Sequence, residues 1–182
     1  MKFIFSTLIV LSVFSATAFS QQINERDKGI ALYLRGDYQA AVETLQKLAA
    51  AVKGKDQDLW LVIGMSFARL NNAKEAKKAF NKADKYSIKY LAGAEKEAKI
   101  ISKPRPIYTD AGRMNNEQGK VKLAVELGAG GEINFIFPFD TLRYGLTEEA
   151  MAAAEKIRFE PAVKDGKNAT TIAVVEYRFT LY

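Results

Sequence analysis

The chain of 182 residues contains no cysteine and no histidine. Without cysteine it cannot form a disulfide, a thiolate zinc site, a thiol nucleophile or a lipid anchor on an N-terminal cysteine. Without histidine it has no imidazole base, no imidazole metal ligand and no Ser-His-Asp triad. Carboxylates such as Asp110, Glu117 and Asp140 remain, but their spacing does not indicate an acid–base pair. The sequence therefore predicts a protein that is not an enzyme, with no catalytic residue, no cofactor and no metal site.

Long apolar runs are also scarce, and the longest lies at the N terminus, in residues 3–19. Lys2 gives it a basic start, and Ala18-Phe19-Ser20 has the small-x-small pattern of a cleavage site. The run holds five serine and threonine residues and is short against the ~20 apolar residues of a spanning helix. We predict that residues 1–20 are a signal peptide cleaved near Ser20. A retained membrane anchor is the alternative.

Charge divides the rest of the chain near Pro104. Residues 21–103 hold 16 basic and 10 acidic side chains, whereas residues 104–182 hold 10 and 11. The hydrophobic period changes at the same place, from a helical period to a period of two. These two changes predict a helical unit over residues 21–103 and a second unit over residues 104–182.

The helical unit repeats itself at an offset of 35 residues. Gly29 corresponds to Gly64, and Leu45 to Phe80. A helix–turn–helix unit of about this length resembles the tetratricopeptide repeat. We expect two hairpins in which Gly64 faces Ala76, then a capping helix over residues 86–101. The residues that carry the resemblance in the second copy are Trp60, Gly64, Phe67, Ala76, Phe80 and Ala83.

Five lysines follow the outer helix of the second repeat: Lys74, Lys77, Lys78, Lys82 and Lys85. Such a run is typical of a solvated helix face, and a site for an anionic partner is the alternative. The array could hold a protein partner of its own. Nucleic acid is not an expected partner of an exported chain.

The second unit has the pattern of a small sheet with one helix, so the chain as a whole is predicted to be α+β. Residues 121–127 and 133–139 alternate apolar and polar side chains, which predicts a hairpin. Thr147 is predicted to cap a helix, and residues 170–181 to form a long last strand. In this β-β-α-β order, the helix is expected to cover the face formed by the odd-numbered strand residues.

Residues 104–182 resemble the TonB C-terminal domain. The most specific match is the run Arg158-Phe159-Glu160-Pro161-Ala162, followed by Gly166 and a terminal strand. Thr109 departs from the family, which commonly has proline there, and residues 138–144 replace a serine-rich stretch. The other matching residues are Pro106, Ile107, Tyr108, Gly119, Val121, Gly131, Ile133, Ala150 and Phe179.

The resemblance implies that this unit binds an extended peptide of an outer-membrane receptor by adding it as a strand to its sheet. A last strand with one unpaired edge would be the template. The sheet face away from the helix would show the predicted contact residues, unless that face packs on the capping helix. Tyr108 and Arg158 also have structural interpretations: Tyr108 would pin the first segment to the sheet, and Arg158 would pair with Glu155 or Glu160. The predicted contact residues are Ile136, Ile172, Val174, Glu176 and Arg178.

A TonB-type transducer is expected to have a membrane helix and a long proline-rich spacer. The four prolines of this chain form no spacer, and the helical unit stands in its place. The sequence therefore predicts a periplasmic adaptor in envelope or outer-membrane transport. A transducer component anchored in the inner membrane and facing the periplasm is the alternative. A homodimer through the last strand would also be consistent with an unpaired edge.

Overall fold

The computed structural model describes residues 25–52, 57–83 and 94–181. The predicted signal peptide, its cleavage site, Lys85 and the first part of the predicted capping helix lie outside these ranges. Within them, no helix is both long enough and apolar enough to cross a membrane.

The N-terminal half consists of two helix–turn–helix hairpins, and their turns repeat at the predicted offset. Gly36 (φ 88°) and Asn71 (φ 57°) take left-handed conformations at equivalent points. In the first turn the N–H of Gly36 donates to the carbonyl of Tyr33, and in the second Asn71 donates to Ala68. The tetratricopeptide assignment stays a prediction. The helices are α1 (residues 25–34), α2 (Tyr38–Ala51), α3 (Gln57–Arg69) and α4 (Ala73–Lys82).

Two glycines allow the helices of each hairpin to approach closely. A Cβ built on Gly29 would lie 2.3 Å from Leu45, and one built on Gly64 would lie 2.8 Å from the Phe80 ring. The nearest neighbour of Gly64 is therefore Phe80 rather than the predicted Ala76. The aromatic ring needs the space that the missing side chain leaves.

The C-terminal half is built around a three-stranded antiparallel sheet in the order β3-β2-β7. The predicted β-β-α-β order is confirmed, with short elements added around it. The elements are β1 (Lys99–Ser102), α5 (Asp110–Met114), β2 (Gly119–Leu127), β3 (Ile133–Asp140), α6 (Leu146–Ala154), β4 (Arg158–Glu160), β5 (Ala162–Lys164), β6 (Lys167–Ala169) and β7 (Thr171–Phe179).

The prediction of a capping helix that extends to residue 101 was wrong at its C-terminal end. Residues 99–102 form β1, which pairs antiparallel with β4, and Lys96 bridges to Val163. Two successive isoleucines favour an extended chain, and β4 offers the backbone partners. The C-terminal unit thus gains a strand that precedes the predicted boundary at Pro104.

Both faces of the main sheet are covered. Helix α6 packs on Val121, Leu123, Val125 and Val175. The opposite face packs on the helical hairpins, where Phe80 stacks on Phe139 with ring centroids 5.0 Å apart. The alternative predicted that the face away from α6 is buried against the capping helix; the face is buried, and α1–α4 cover it. Ala124, Ile172, Phe135, Phe137 and Val174 contribute to the same core.

The expected orientation of β3 was wrong for most of its length. The register shifts between Glu126 and Leu127, so Ile133 pairs with Leu127 but Phe135 pairs with Glu126. A bulge of one residue moves each following side chain to the other face. Phe135, Phe137 and Phe139 therefore face the helical hairpins, while Ile133 and Ile136 pack on the α6 side.

Thr147 was also assigned wrongly as a helix cap. Helix α6 begins at Leu146, after Gly145 with φ 80°. The Thr147 hydroxyl instead donates to the carbonyl of Leu142 at 2.7 Å and accepts from its N–H at 2.9 Å. It closes the loop that leads into the helix.

A buried polar junction connects the two halves. The Glu126 carboxylate accepts hydrogen bonds from Tyr33 on α1, from Arg69 on α3 at 3.1 Å and from Asn134 on β3 at 3.2 Å. The Arg69 guanidinium also lies 4.2 Å from the centre of the Phe135 ring. Burial, reinforced by Glu126, raises the pKa of Tyr33 far above its ordinary value, so its hydroxyl stays a donor.

Candidate functional site

Strand β7 carries the open edge that the sequence predicted. It stays in unbroken register with β2 over nine residues, from Thr171 opposite Leu127 to Phe179 opposite Gly119. Among the described residues, no strand pairs with its other edge. Such a row of unpaired backbone groups is a template for a further strand.

The opposite edge of the sheet, on β3, is a poorer template. Pro138 has no N–H to donate, and the strand carries two register shifts along its pairing with β2. Proline and bulges are the features with which proteins blunt sheet edges. Strand addition is therefore favoured at β7.

A groove of about 570 Å³ follows the C-terminal part of the β7 edge. Its far wall is the leading segment, residues 103–108. The Lys103 ammonium donates to the Glu176 carbonyl at 3.1 Å and lies 5.1 Å from the centre of the Tyr177 ring. A long side chain, and not a backbone N–H, makes this bridge, so the segment stands off from β7. The lining residues are Lys103, Pro104, Arg105, Pro106, Tyr108, Glu176, Tyr177, Arg178, Phe179 and Thr180.

Tyr108 fixes the end of the leading segment. Its hydroxyl donates to the Glu117 carbonyl at 2.5 Å, and its ring meets Phe179 edge-on at 5.5 Å. The Arg113 guanidinium covers the same ring at 4.7 Å. These contacts support the structural interpretation of Tyr108 as a pin that holds the groove wall against the sheet.

The groove has an excess of positive charge. Glu176 is the one acidic residue in the lining of the groove. Its carboxylate pairs with Lys120 at 2.9 Å and with Arg178 at 3.7 Å. The hydrogen bond from Lys120 lowers the pKa of Glu176. Among the described residues, neither Lys103 nor Arg105 has a carboxylate partner. The groove therefore presents two cations whose charge is not neutralised.

The part of the chain that forms this groove matches a known protein family. Residues 104–181 match the family model of the Gram-negative bacterial TonB protein C-terminal. The resemblance predicted from the sequence is confirmed for this part of the chain. We call residues 104–181 the TonB-like unit. It contains β7 and, apart from Lys103, the whole groove.

Comparison with known proteins adds little to this match. The solution NMR structure of the Pseudomonas aeruginosa TonB CTD is 25% identical, and the alignment covers 46% of this chain and 86% of that chain with a TM-score of 0.39. No curated protein matches the chain.

The five predicted contact residues are divided among three environments. Glu176 and Arg178 line the groove. Ile172 is only 2% exposed and packs, with Val174, against the helical hairpins, whereas Ile136 packs on the α6 side. They do not form one exposed patch.

Two of these residues, Ile172 and Val174, still contribute backbone groups to the open edge of β7. The Glu176 carbonyl meets Lys103 from outside the sheet, and N–H and C=O groups point to alternate sides along a strand. The backbone groups of Ile172, Val174, Glu176 and Arg178 therefore point to the open edge. The backbone of these residues is thus available to an added strand, although the side chains of Ile172 and Val174 pack against the helical hairpins.

Three of the family-motif residues of the TonB-like unit lie in or beside its two small sheets, β1–β4 and β5–β6. Phe159 is buried beneath α6, and Pro161 separates β4 from β5. Gly166 turns the β5–β6 hairpin with φ 68°, and its N–H donates to the Glu95 carboxylate at 3.2 Å. Arg158 is exposed, and among the described residues it pairs with neither of the predicted glutamates. Glu160 pairs with Lys96 at 2.6 Å instead.

Sequence reasoning missed the cations of the leading segment. Exposure alternates from residue 101 to 107, with Ile101, Lys103, Arg105 and Ile107 outward and the residues between them half-buried. An alternation between basic or apolar residues and proline was visible in the sequence. That these residues line a groove could not be predicted, because the sequence does not reveal where β7 lies relative to them.

Two of the three carboxylates considered for acid–base chemistry, Glu117 and Asp140, are hydrogen-bonded or ion-paired to basic residues. Glu117 accepts from the backbone N–H and the guanidinium of Arg143, and these bonds lower its pKa. Asp140 pairs with Lys122 at 3.8 Å. In the described ranges, no group of acidic residues is arranged to hold a metal ion.

Proposed function

We propose that the TonB-like unit binds an extended segment of another protein, such as an outer-membrane receptor, by strand addition at β7. The chain would act as a periplasmic adaptor in outer-membrane transport. The family of the matched domain serves protein interaction and energy transduction rather than catalysis, which supports a transport role. The observation that carries the proposal is the unbroken nine-residue β7, paired on one edge among the described residues.

The proposal is tested with an octapeptide of alternating threonine and valine and with the purified full chain. Binding should protect the amide N–H groups of Val174 and Glu176 from hydrogen exchange, because a new strand would accept from them. Glu176→Pro removes one edge donor without removing a donor to β2, and should weaken binding about tenfold. Glu176→Gln keeps the N–H and serves as its control. Equal binding by both variants would count against strand addition at this edge.

The helical hairpins are proposed to hold a second protein, as tetratricopeptide arrays do. Their inner surface is occupied by the sheet, so a second partner has to use the outer faces of α2 and α4. Lys74 and Lys77 are exposed on α4, while Lys78 pairs with Glu75 at 2.7 Å. A solvated helix face explains these lysines equally well.

A transducer anchored in the inner membrane is the second candidate, because the match to a TonB C-terminal region is compatible with either role. The intact mass of the protein from the envelope fraction of its host separates the two. A mass that corresponds to a start near Gln21 supports the exported adaptor. The mass of the full chain in the membrane fraction supports the transducer.

A homodimer through two β7 edges would use the same backbone groups. Sedimentation of the purified protein tests it, since such a dimer should dissociate when the octapeptide is added. A dimer that persists at saturating peptide would place the dimer contact elsewhere.

A further inference from the structure

The positive charge of the groove is concentrated on one wall. Lys103 and Arg105 are exposed on the leading segment, two residues apart, and alternate with the half-buried Pro104 and Pro106. On an extended segment this spacing puts both side chains on the same side. On the opposite wall, Glu176 and Arg178 line the groove and pair with each other, so their charges cancel.

Among the residues that the structure describes, Lys103 has only neutral partners, namely the Glu176 carbonyl and the Tyr177 ring. The carbonyl is also an acceptor that an added strand needs. An arriving peptide N–H would therefore displace the Lys103 ammonium from β7. The displaced cation would then lie beside the new strand, and no carboxylate in the described part of the chain is paired to it.

We infer that the groove selects extended peptides that carry carboxylate side chains within reach of Lys103 and Arg105. This inference depends on the strand addition proposed above and adds the chemistry of the partner. An acidic side chain would exchange the weak lysine–carbonyl bond for an ion pair, and Arg105 would supply a second, bidentate donor. Lys103 and Arg105 thus determine specificity, while the β7 backbone supplies binding that is independent of sequence.

The test compares two octapeptides of alternating threonine and valine, one with glutamate and one with glutamine at two central threonine positions. Binding to the full chain is measured by fluorescence anisotropy at low and at physiological salt. The glutamate peptide should bind about tenfold more tightly at low salt, and the difference should shrink as salt screens the groove.

The Lys103→Gln/Arg105→Gln double variant should bind both peptides equally. Its matched control is Arg35→Gln/Lys77→Gln, which removes the same charge from exposed sites in the helical half. The control should keep the full preference for glutamate. Both variants change exposed residues, and circular dichroism verifies that each is folded.

Each outcome has a distinct meaning. Equal binding of both peptides to the unchanged protein, with protected β7 amides, overturns the inference about charge and leaves strand addition in place. A preference that survives in the groove variant overturns it, because other groups would then recognise the glutamates. A preference that is lost in the control also overturns it, because net charge would then explain the result. If neither peptide protects the β7 amides, the proposed function itself fails.

Discussion

The two faces of the central sheet are both buried, but by different chemistry. The α6 face is lined by aliphatic side chains together with Tyr177 and Phe179, and it is covered by a helix that is close in sequence, from Leu146 to Ala154. The helical-hairpin face is rich in phenylalanine and contains the Glu126 junction, with donors from α1, α3 and β3. The packing on the first face lies within the C-terminal half. The second makes the helical hairpins part of the same folded body.

The largest expected effect comes from removing the ring that connects the hairpins to the sheet. Phe80 is 2% exposed and contacts the rings of Phe137 and Phe139. Phe80→Ala should lower the free energy of unfolding by about 3–5 kcal/mol, because a large cavity opens between the halves. Urea denaturation followed separately by Trp60 fluorescence and by an NMR signal of the sheet measures it. Coincident transitions are expected; separate ones would show that the halves unfold independently.

Removing one charge from the junction should have the next largest effect. Arg69→Leu leaves the Glu126 carboxylate buried with two neutral donors and should cost about 2 kcal/mol, less than a fully buried pair because Arg69 is a quarter exposed. Adding Glu126→Gln to this variant should recover part of the loss. The same denaturation experiment gives the coupling, and strict additivity of the two changes would argue against a paired junction.

A smaller change tests how tightly the hairpin beneath this face is packed. Gly64→Ala should lower the free energy of unfolding by about 1 kcal/mol, because crowding against the Phe80 ring outweighs the gain in helix propensity. Combining it with Phe80→Leu should remove most of this cost. If Gly64→Ala is stabilising, the close approach does not constrain the hairpin.

The smallest effect is expected on the α6 face, at its one buried phenol. Among the described residues, the Tyr177 hydroxyl has no hydrogen-bond partner, and burial raises its pKa to about 12. Tyr177→Phe should therefore change stability at pH 7 by less than about 1 kcal/mol. A loss comparable with that of Arg69→Leu would mean that this face also depends on a polar contact.

The pH dependence of the same variant follows from the direction of the shift. The folded state holds the Tyr177 proton more tightly than the unfolded chain, whose value is 10.0. Its contribution to stability is complete below pH 10 and is lost as pH rises towards 12. Tyr177→Phe should flatten the fall in melting temperature over this interval. An unchanged slope would assign the alkaline loss to other groups, such as Tyr33.

What the sequence could predict follows the same division. The α6 face and the long last strand were predicted because their apolar periods are local. The orientation of Phe135 and Phe137 was missed, because a one-residue bulge reverses the facing of a strand and leaves no mark in an alternating pattern. Glu126 was read as an ordinary polar position of β2, since its donors lie 93, 57 and 8 residues away.

The candidate site was predicted in part. The open strand at residues 172–180 follows from strand order alone, and β7 shows it. Its flanking wall did not follow, because residues 99–108 were partly assigned to a helix. The role of Lys103 in the groove depends on its hydrogen bond to the Glu176 carbonyl, which lies 73 residues later in the sequence.

The blunted β3 strand has a consequence for assembly. Because Pro138 and two register shifts disfavour strand addition at β3, the sheet has one favourable edge, on β7. Once a copy or a peptide has joined at β7, the next unit meets the β3 edge of the sheet, which is the poorer template. We therefore expect association through this sheet to favour a single step, so that the chain presents an exposed strand without serving as the seed of a fibre.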